Sequence, residues 1–115
     1  MIIDDNRDAA DMLAALLSMH GHQLRQAYHG AQGLALLQEL AADIVLLDLG
    51  MPGLSGYDVA ALLRNGPAKC PYLVAYTAWN DADTIHRCRQ AGFDSHLTKT
   101  APLHKVLSSL EQALA

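Results

Sequence analysis

An α/β fold, with helices on both faces of a doubly wound, five-stranded parallel sheet, is predicted by three features of the sequence. Apolar segments of strand length alternate with segments of helical spacing along all 115 residues. The most apolar of them, Asp43 to Asp48, carries Ile44-Val45-Leu46-Leu47 without alternation, as a central parallel strand covered on both faces must. Hydrophobic residues make up 51 % of the chain but aromatics only 5 %, which suits an aliphatic core and argues against disorder. The length is that of one domain, residues 1–115, large enough to bury such a core.

The elements follow in order. Met1-Ile2-Ile3 is a short first strand ending at Asp4-Asp5. Ala9, Met12, Leu13, Leu16 and Leu17 recur at helical spacing, with Asn6 as N-cap and Gly21 as a stop after His20. Gln23 to Ala27 reads as the second strand; after a turn at Gly30, Leu34, Leu37 and Leu40 mark a second helix that Gly33 weakens only slightly. Asp43 to Asp48 is the third strand, Tyr57 to Asn65 the third helix, and Gly66-Pro67 breaks the chain. Leu73-Val74-Ala75-Tyr76, closed by Thr77, is the fourth strand. Asp81 to Gln90 is a helix stopped by Gly92, a residue suited to a left-handed cap. Ser95-His96-Leu97-Thr98, closed by Lys99, is the fifth strand, and Leu103, Val106, Leu107, Leu110 and Leu114 form the last helix behind Pro102. Right-handed crossovers then distribute the helices over both faces.

Charge and composition exclude several functions. A net charge of -4 with scattered Lys and Arg leaves no basic stripe for direct nucleic-acid binding. No apolar stretch approaches the roughly 20 residues a bilayer demands, and the start lacks the regions of a signal peptide, so the expectation is a cytoplasmic protein without membrane insertion. Cys70 and Cys88 have no metal-binding spacing and read as reduced, mostly buried thiols. His20, His22, His29, His86 and His104 are scattered and read as solvated.

Four strand ends carry the polar set: Asp4-Asp5, Asp48, Thr77 and Lys99. In parallel neighbours these groups converge on one sheet edge, where open α/β folds place their chemistry. Three carboxylates there repel one another, and without a cation at least one is driven toward its protonated form. A hard divalent ion such as Mg²⁺, which prefers oxygen ligands, resolves the conflict. Singly, each residue has a plainer reading: the acidic pair favouring a helix N-terminus, Asp48 a turn former, Thr77 a cap, Lys99 a solvated charge. Jointly, no plain reading accounts for all four ends.

The pieces Ile3-Asp4-Asp5, Leu46-Leu47-Asp48-Leu49-Gly50-Met51-Pro52, Gly56-Tyr57-Asp58, Ala75-Tyr76-Thr77-Ala78 and Ala91-Gly92-Phe93-Asp94 leading to Lys99 occur in an order that is highly specific. In these the chain resembles a response-regulator receiver domain of two-component signalling, similar to receivers of hybrid sensor histidine kinases. The resemblance implies the flavodoxin-like strand order 2-1-3-4-5. It implies Asp48 as the phosphorylated residue, Asp4 and Asp5 as the pair holding Mg²⁺ with Asp48, and the Gly50 carbonyl as a further ligand. Thr77 corresponds to the switch hydroxyl, Lys99 to the phosphate-binding lysine, and the Ala78 amide to a phosphoryl donor. Such a module is not a turnover enzyme; it phosphorylates and dephosphorylates itself.

The implied partners are a sensor histidine kinase or histidine phosphotransfer domain, docking at Arg7, Asp8, Asp11 and Met12, and a second copy of the chain. Three departures stand out. His96 occupies a place that is usually aromatic and is polar enough to stay outward. Thr100 replaces the proline after Lys99, so a trans bond is expected. Trp79, two residues after Thr77, faces Gly50 and is expected to shield a phosphorylated Asp48. The His96 and Thr100 departures keep open a degenerate receiver that binds proteins without phosphorylation, against which the intact acceptor and acidic pair argue. A flavin site is disfavoured because Asp4-Asp5 repels phosphate, and a haloacid-dehalogenase-like hydrolase lacks an acid at Gly50.

Overall fold

The computed structural model describes residues 1–66 and 69–114, so the expected break at Pro67 lies outside the described residues. Ten elements alternate: β1 (Ile2–Ile3), α1 (Arg7–Met19), β2 (Gln26–Ala27), α2 (Gly30–Glu39), β3 (Ile44–Leu47), α3 (Gly56–Asn65), β4 (Tyr72–Thr77), α4 (Ala82–Ala91), β5 (Ser95–Thr98) and α5 (Leu103–Leu114). All strand pairs are parallel, in the order β2-β1-β3-β4-β5, as expected.

Period-two alternation along the strands divides the core between two faces. Ile2, Leu46 and Val74 point to one side, against Ala10, Leu13, Ala14 and Leu17 of α1 and Val106 and Leu110 of α5. Ile3, Val45, Leu47, Leu73 and Ala75 point to the other, against Val59 and Ala60 of α3 and Cys88 of α4. Adjacent residues such as Ile2 and Ile3 therefore serve different layers, which is why β3 carries no polar position.

Several boundaries differ from expectation. The second strand is shorter than the expected Gln23–Ala27: it spans Gln26–Ala27, the two residues in register with Ile2 and Ile3 of β1. Gly30 begins α2 rather than turning before it, and His29 is not merely solvated: its Nδ1 accepts the Gln32 N–H at 3.2 Å as the cap. On α1 the buried stripe is Ala10, Leu13, Ala14 and Leu17, while Met12 is 66 % and Leu16 38 % exposed and Ala9 is only partly buried. Two alanines let this helix lie close to the sheet, and burying them beside Leu13 and Leu17 turns Met12 and Leu16 to the rim. The caps at Asn6 and Gly92 match expectation: the Asn6 side chain accepts from Ala9, and Gly92 closes α4 in the left-handed region at φ 100°; Asp81, expected as the first helical residue, instead stands ahead of α4 as its cap, its side chain accepting from Thr84. Pro102 sits just ahead of α5, its carbonyl accepting the Lys105 N–H at 2.9 Å. Cys70 is partly and Cys88 fully buried, both as free thiols.

Candidate functional site

The parallel ladder brings the acidic residues together. Asp4 donates its N–H to Ala27 at 3.0 Å, and Asp48 donates its own to Ile3 at 2.9 Å, so the β1 and β3 ends stand side by side. Oxygens of Asp4, Asp5 and Asp48 all lie within 4.8 Å of one another. Asp4 and Asp48 are buried and Asp5 is exposed, so the cluster is open on one side. Asp4 is further fixed by accepting the Asn6 N–H at 3.0 Å, and Asn6 in turn caps α1.

Lys99 completes the group from across the sheet. Its backbone N–H donates to the Thr77 carbonyl at 2.8 Å, which ties the end of β5 to that of β4. Its Nζ lies 2.8 Å from Asp4 Oδ2 and 3.5 Å from Asp48 Oδ2, so the closer partner is the acidic-pair residue. Desolvation pulls the ammonium down, but the bond to Asp4 and the charges of Asp48 and Asp4 outweigh it and leave its pKa raised. Asp48 is pushed up to about 6, first by burial and then by the Asp4 charge, against the pull of Lys99. Burial, with repulsion from Asp4 added to it, thus drives the Asp48 carboxyl toward its protonated form.

The loops around this centre are shaped by two close approaches. A Cβ on Gly56 would run into the Asp48 carbonyl oxygen, so only glycine lets the start of α3 abut the end of β3. There Gly56 donates to Leu49 at 3.0 Å, and Ser55 and Asp58 form a reciprocal capping box. On the other side the Trp79 ring lies over Gly50, where a Cβ would come 3.1 Å from the indole. Trp79 remains 54 % exposed. Its N–H donates to Thr77 Oγ1 at 3.3 Å, and its carbonyl is 3.0 Å from His96 Nε2. His96 is therefore not simply outward-facing; it is partly buried and reaches the loop after β4. Thr77 is fully buried and Ala78 exposed beside it. The described residues contain no cis peptide bond, so Lys99–Thr100 is trans as expected.

A family model for the response regulator receiver domain matches residues 1–111. The chain belongs to that family. Protein PilH of Pseudomonas aeruginosa is 32 % identical over 117 residues, covering all of this receiver and 96 % of PilH. Virulence sensor protein BvgS of Bordetella pertussis is 33 % identical over 121 residues, and there this receiver corresponds to only 10 % of the longer protein. Response regulator protein TrrA from Thermotoga maritima, solved in complex with Mg(2+)-BeF, superposes with a TM-score of 0.86 at 23 % identity over 97 % of this chain and 95 % of that one. Receivers are signalling domains rather than conventional enzymes, and the family's acidic pocket binds Mg²⁺.

The receiver's donor set fits that ion: three carboxylates, hard oxygen ligands, open on one side to water. Asp4, Asp5, Asp48 and Lys99 are brought together, and Thr77 ends the strand between those of Asp48 and Lys99, with Gly50 and Ala78 in the loops that follow. Missed were the two supports that depend on contact: Gly56 beneath the Asp48 carbonyl, and the His96 link to Trp79. Gly56 lay within a quoted motif, but its steric role had no local signal.

Proposed function

We propose that this receiver accepts a phosphoryl group from a phosphohistidine onto Asp48, and that the loop after β4 reports the change. The observation that supports this reading most directly is the convergence of Asp4, Asp5 and Asp48 within 4.8 Å, with Lys99 bridging two of them. Asp4, Asp5 and Asp48, with the Gly50 carbonyl, are the groups to hold Mg²⁺. The bound ion would neutralise the acidic cluster and the charge on the phosphoryl oxygens.

The protein's own groups divide the remaining work. An Asp48 carboxylate oxygen forms the new P–O bond as the P–N bond to the donor imidazole breaks, and the leaving nitrogen takes up a proton. Lys99, held near both Asp4 and Asp48, is placed to follow the incoming negative charge as a mobile point charge. The Thr77 hydroxyl and the Ala78 amide are the donors for the phosphoryl oxygens. If Thr77 turns to the phosphoryl group it gives up Trp79, so the Trp79–His96 loop shifts and carries the signal toward α4, β5 and α5.

The donor is a sensor histidine kinase or a histidine phosphotransfer domain, consistent with the match to a segment of BvgS. It would dock on α1 at Arg7, Asp8, Asp11 and Met12, whose exposure leaves them available. A second copy of the chain is the alternative partner. No helix among the described residues is long and apolar enough to cross a membrane, and a cytoplasmic site of action agrees with this chemistry.

Incubation with acetyl phosphate and Mg²⁺, followed by intact-mass measurement, tests the assignment. A single phosphoryl adduct is expected on the natural protein and none on Asp48→Asn. An unmodified mass under conditions that label another receiver would instead support the phosphorylation-independent interaction module.

A further inference from the structure

The sequence holds one tryptophan, and its ring is held in place by bonds to its backbone more than by packing. From the loop after β4, the Trp79 indole lies over Gly50 and takes up the space that a side chain at residue 50 would fill. Yet Trp79 is 54 % exposed, and Ala78 and Asn80 on either side of it are exposed as well. A ring half in water gains little from burial, so its position depends on how its backbone is tied.

Two hydrogen bonds tie it. The Trp79 N–H donates to Thr77 Oγ1 at 3.3 Å, and the Trp79 carbonyl lies 3.0 Å from His96 Nε2. A carbonyl only accepts, so Nε2 carries the hydrogen and His96 is the donor. His96 is itself well anchored, because β5 pairs it with Ala75, a fully buried residue of β4. Beyond the loop the chain is fixed again at Asp81, which accepts from Thr84 at the start of α4. Among the described residues, the His96 ring supplies the one hydrogen bond that reaches residues 78–80 from another strand or helix.

The two ties part company once Asp48 is phosphorylated. If the Thr77 hydroxyl turns to a phosphoryl oxygen it releases the Trp79 N–H, and His96 is the tie that remains, the pivot about which the loop shifts. Phosphorylated Asp48 is lost by hydrolysis. A water oxygen bonds to phosphorus in line while the P–O bond to the carboxyl group breaks, which restores the carboxylate and yields inorganic phosphate, with one water proton passing to solvent. The Asp48 side chain is only 9 % exposed, so the flanking loops control the approach of that water. Gly50 leaves a gap in them, and the indole covers it.

We propose that His96 is a positioning residue that keeps the Trp79 indole over Gly50 after Thr77 has let go, and thereby sets how long Asp48 stays phosphorylated. This rests on Asp48 being the acceptor. His96 acts through one carbonyl and is not among the donors to the phosphoryl oxygens.

The test uses the full chain, phosphorylated with acetyl phosphate and Mg²⁺, freed of donor and followed by intact mass as the adduct is lost. His96→Phe keeps a ring but has no donor, and is expected to shorten the lifetime about threefold, the rate equivalent of one lost hydrogen bond. His96→Gln, whose amide N–H reaches as far as Nε2 does, is expected to restore the lifetime to within about twofold. In a Trp79→Ala background, His96→Phe is expected to change nothing further. A second readout needs no phosphoryl group. In Thr77→Ala, which frees the Trp79 N–H, adding His96→Phe is expected to raise acrylamide quenching of the single tryptophan and shift its emission to longer wavelength, whereas adding His96→Gln is not. The proposal is overturned by an unchanged lifetime in His96→Phe, by a Gln variant as short-lived as the Phe variant, by an equal loss of lifetime without the indole, or by quenching that His96→Phe leaves unaltered. Absence of any adduct on the natural protein would instead overturn the acceptor reading, and quenching alone would then decide whether His96 holds the indole.

Discussion

The two ends of one sheet meet opposite fates in this receiver. At the carboxyl ends of β1, β3 and β5, side chains of Asp4, Asp5, Asp48 and Lys99 crowd together, and loops approach them closely through Gly56 and Trp79. At the amino ends of the strands Leu17, Ile44, Leu46 and Leu110 line a cavity with His22, Arg25 and Asp43, and among the described residues no second acidic cluster is gathered. Negative charge in excess is the condition of the first end, and mixed polar and apolar side chains that of the second. The first therefore calls for a cation. Perturbing one end should leave the other intact, because the core between them, Ile3, Val45, Leu47 and Leu73, is fully buried and rigidly packed.

The largest effect that would break this contrast is at the acceptor. Asp48→Asn is expected to remove phosphoryl labelling altogether while leaving Ile44 amide exchange unchanged; a change at Ile44 would mean the two ends are coupled. Next is Gly56→Ala, whose added Cβ meets the Asp48 carbonyl. We expect a loss of about 3 kcal/mol in urea unfolding together with slower labelling, and a neutral result would show that the loop yields freely.

Trp79→Ala is expected to shorten the lifetime of phosphorylated Asp48 several-fold, about 1 kcal/mol in barrier, as followed by loss of the adduct mass. An unaltered lifetime would remove the shielding role of the indole over Gly50.

A gentler test concerns the burial of the Asp48 carboxyl beside Asp4 in metal-free protein. Asp48 has a folded-state pKa of about 6 against an ordinary 3.8, so between those values the native state binds more protons than the unfolded one. Its contribution to stability is therefore present below about pH 4 and lost as pH rises through 6. Asp48→Asn should then be the more stable protein at pH 7.5, by about 1 kcal/mol after allowance for solvent screening. The advantage should vanish near pH 4, and Mg²⁺ should erase it at pH 7.5 by stabilising the natural protein. A constant difference across pH would contradict the assigned strain. The smallest effect is expected at the end of α5: Leu114→Ala, at a residue 52 % exposed, should change stability by less than about 0.5 kcal/mol in the same unfolding assay. A larger loss would mean that this side chain packs against something in the free protein.

How much of this was legible before any coordinates varies by residue. Asp4, Asp5, Asp48, Thr77 and Lys99 could be found because strand ends are marked locally, by apolar runs that stop at a polar residue, and parallel pairing does the rest. The helix caps at Asn6 and Gly92 were equally readable, since capping is decided within a few residues. The buried stripe of α1 was misjudged because Met12 and Leu16 satisfy helical spacing as well as Ala10 and Ala14 do, and hydrophobicity alone favours the larger side chains.

The sequence by itself determined the alternation of elements, the sheet's parallel character and the identity of the polar set, because periodicity and chain punctuation are properties of neighbours along the chain. Only the tertiary structure decided that Lys99 lies closer to Asp4 than to Asp48, and that the Trp79 indole covers Gly50 while the same residue's carbonyl meets His96. Those outcomes depend on distances between residues far apart in sequence, which are set by how two packed layers settle against the sheet.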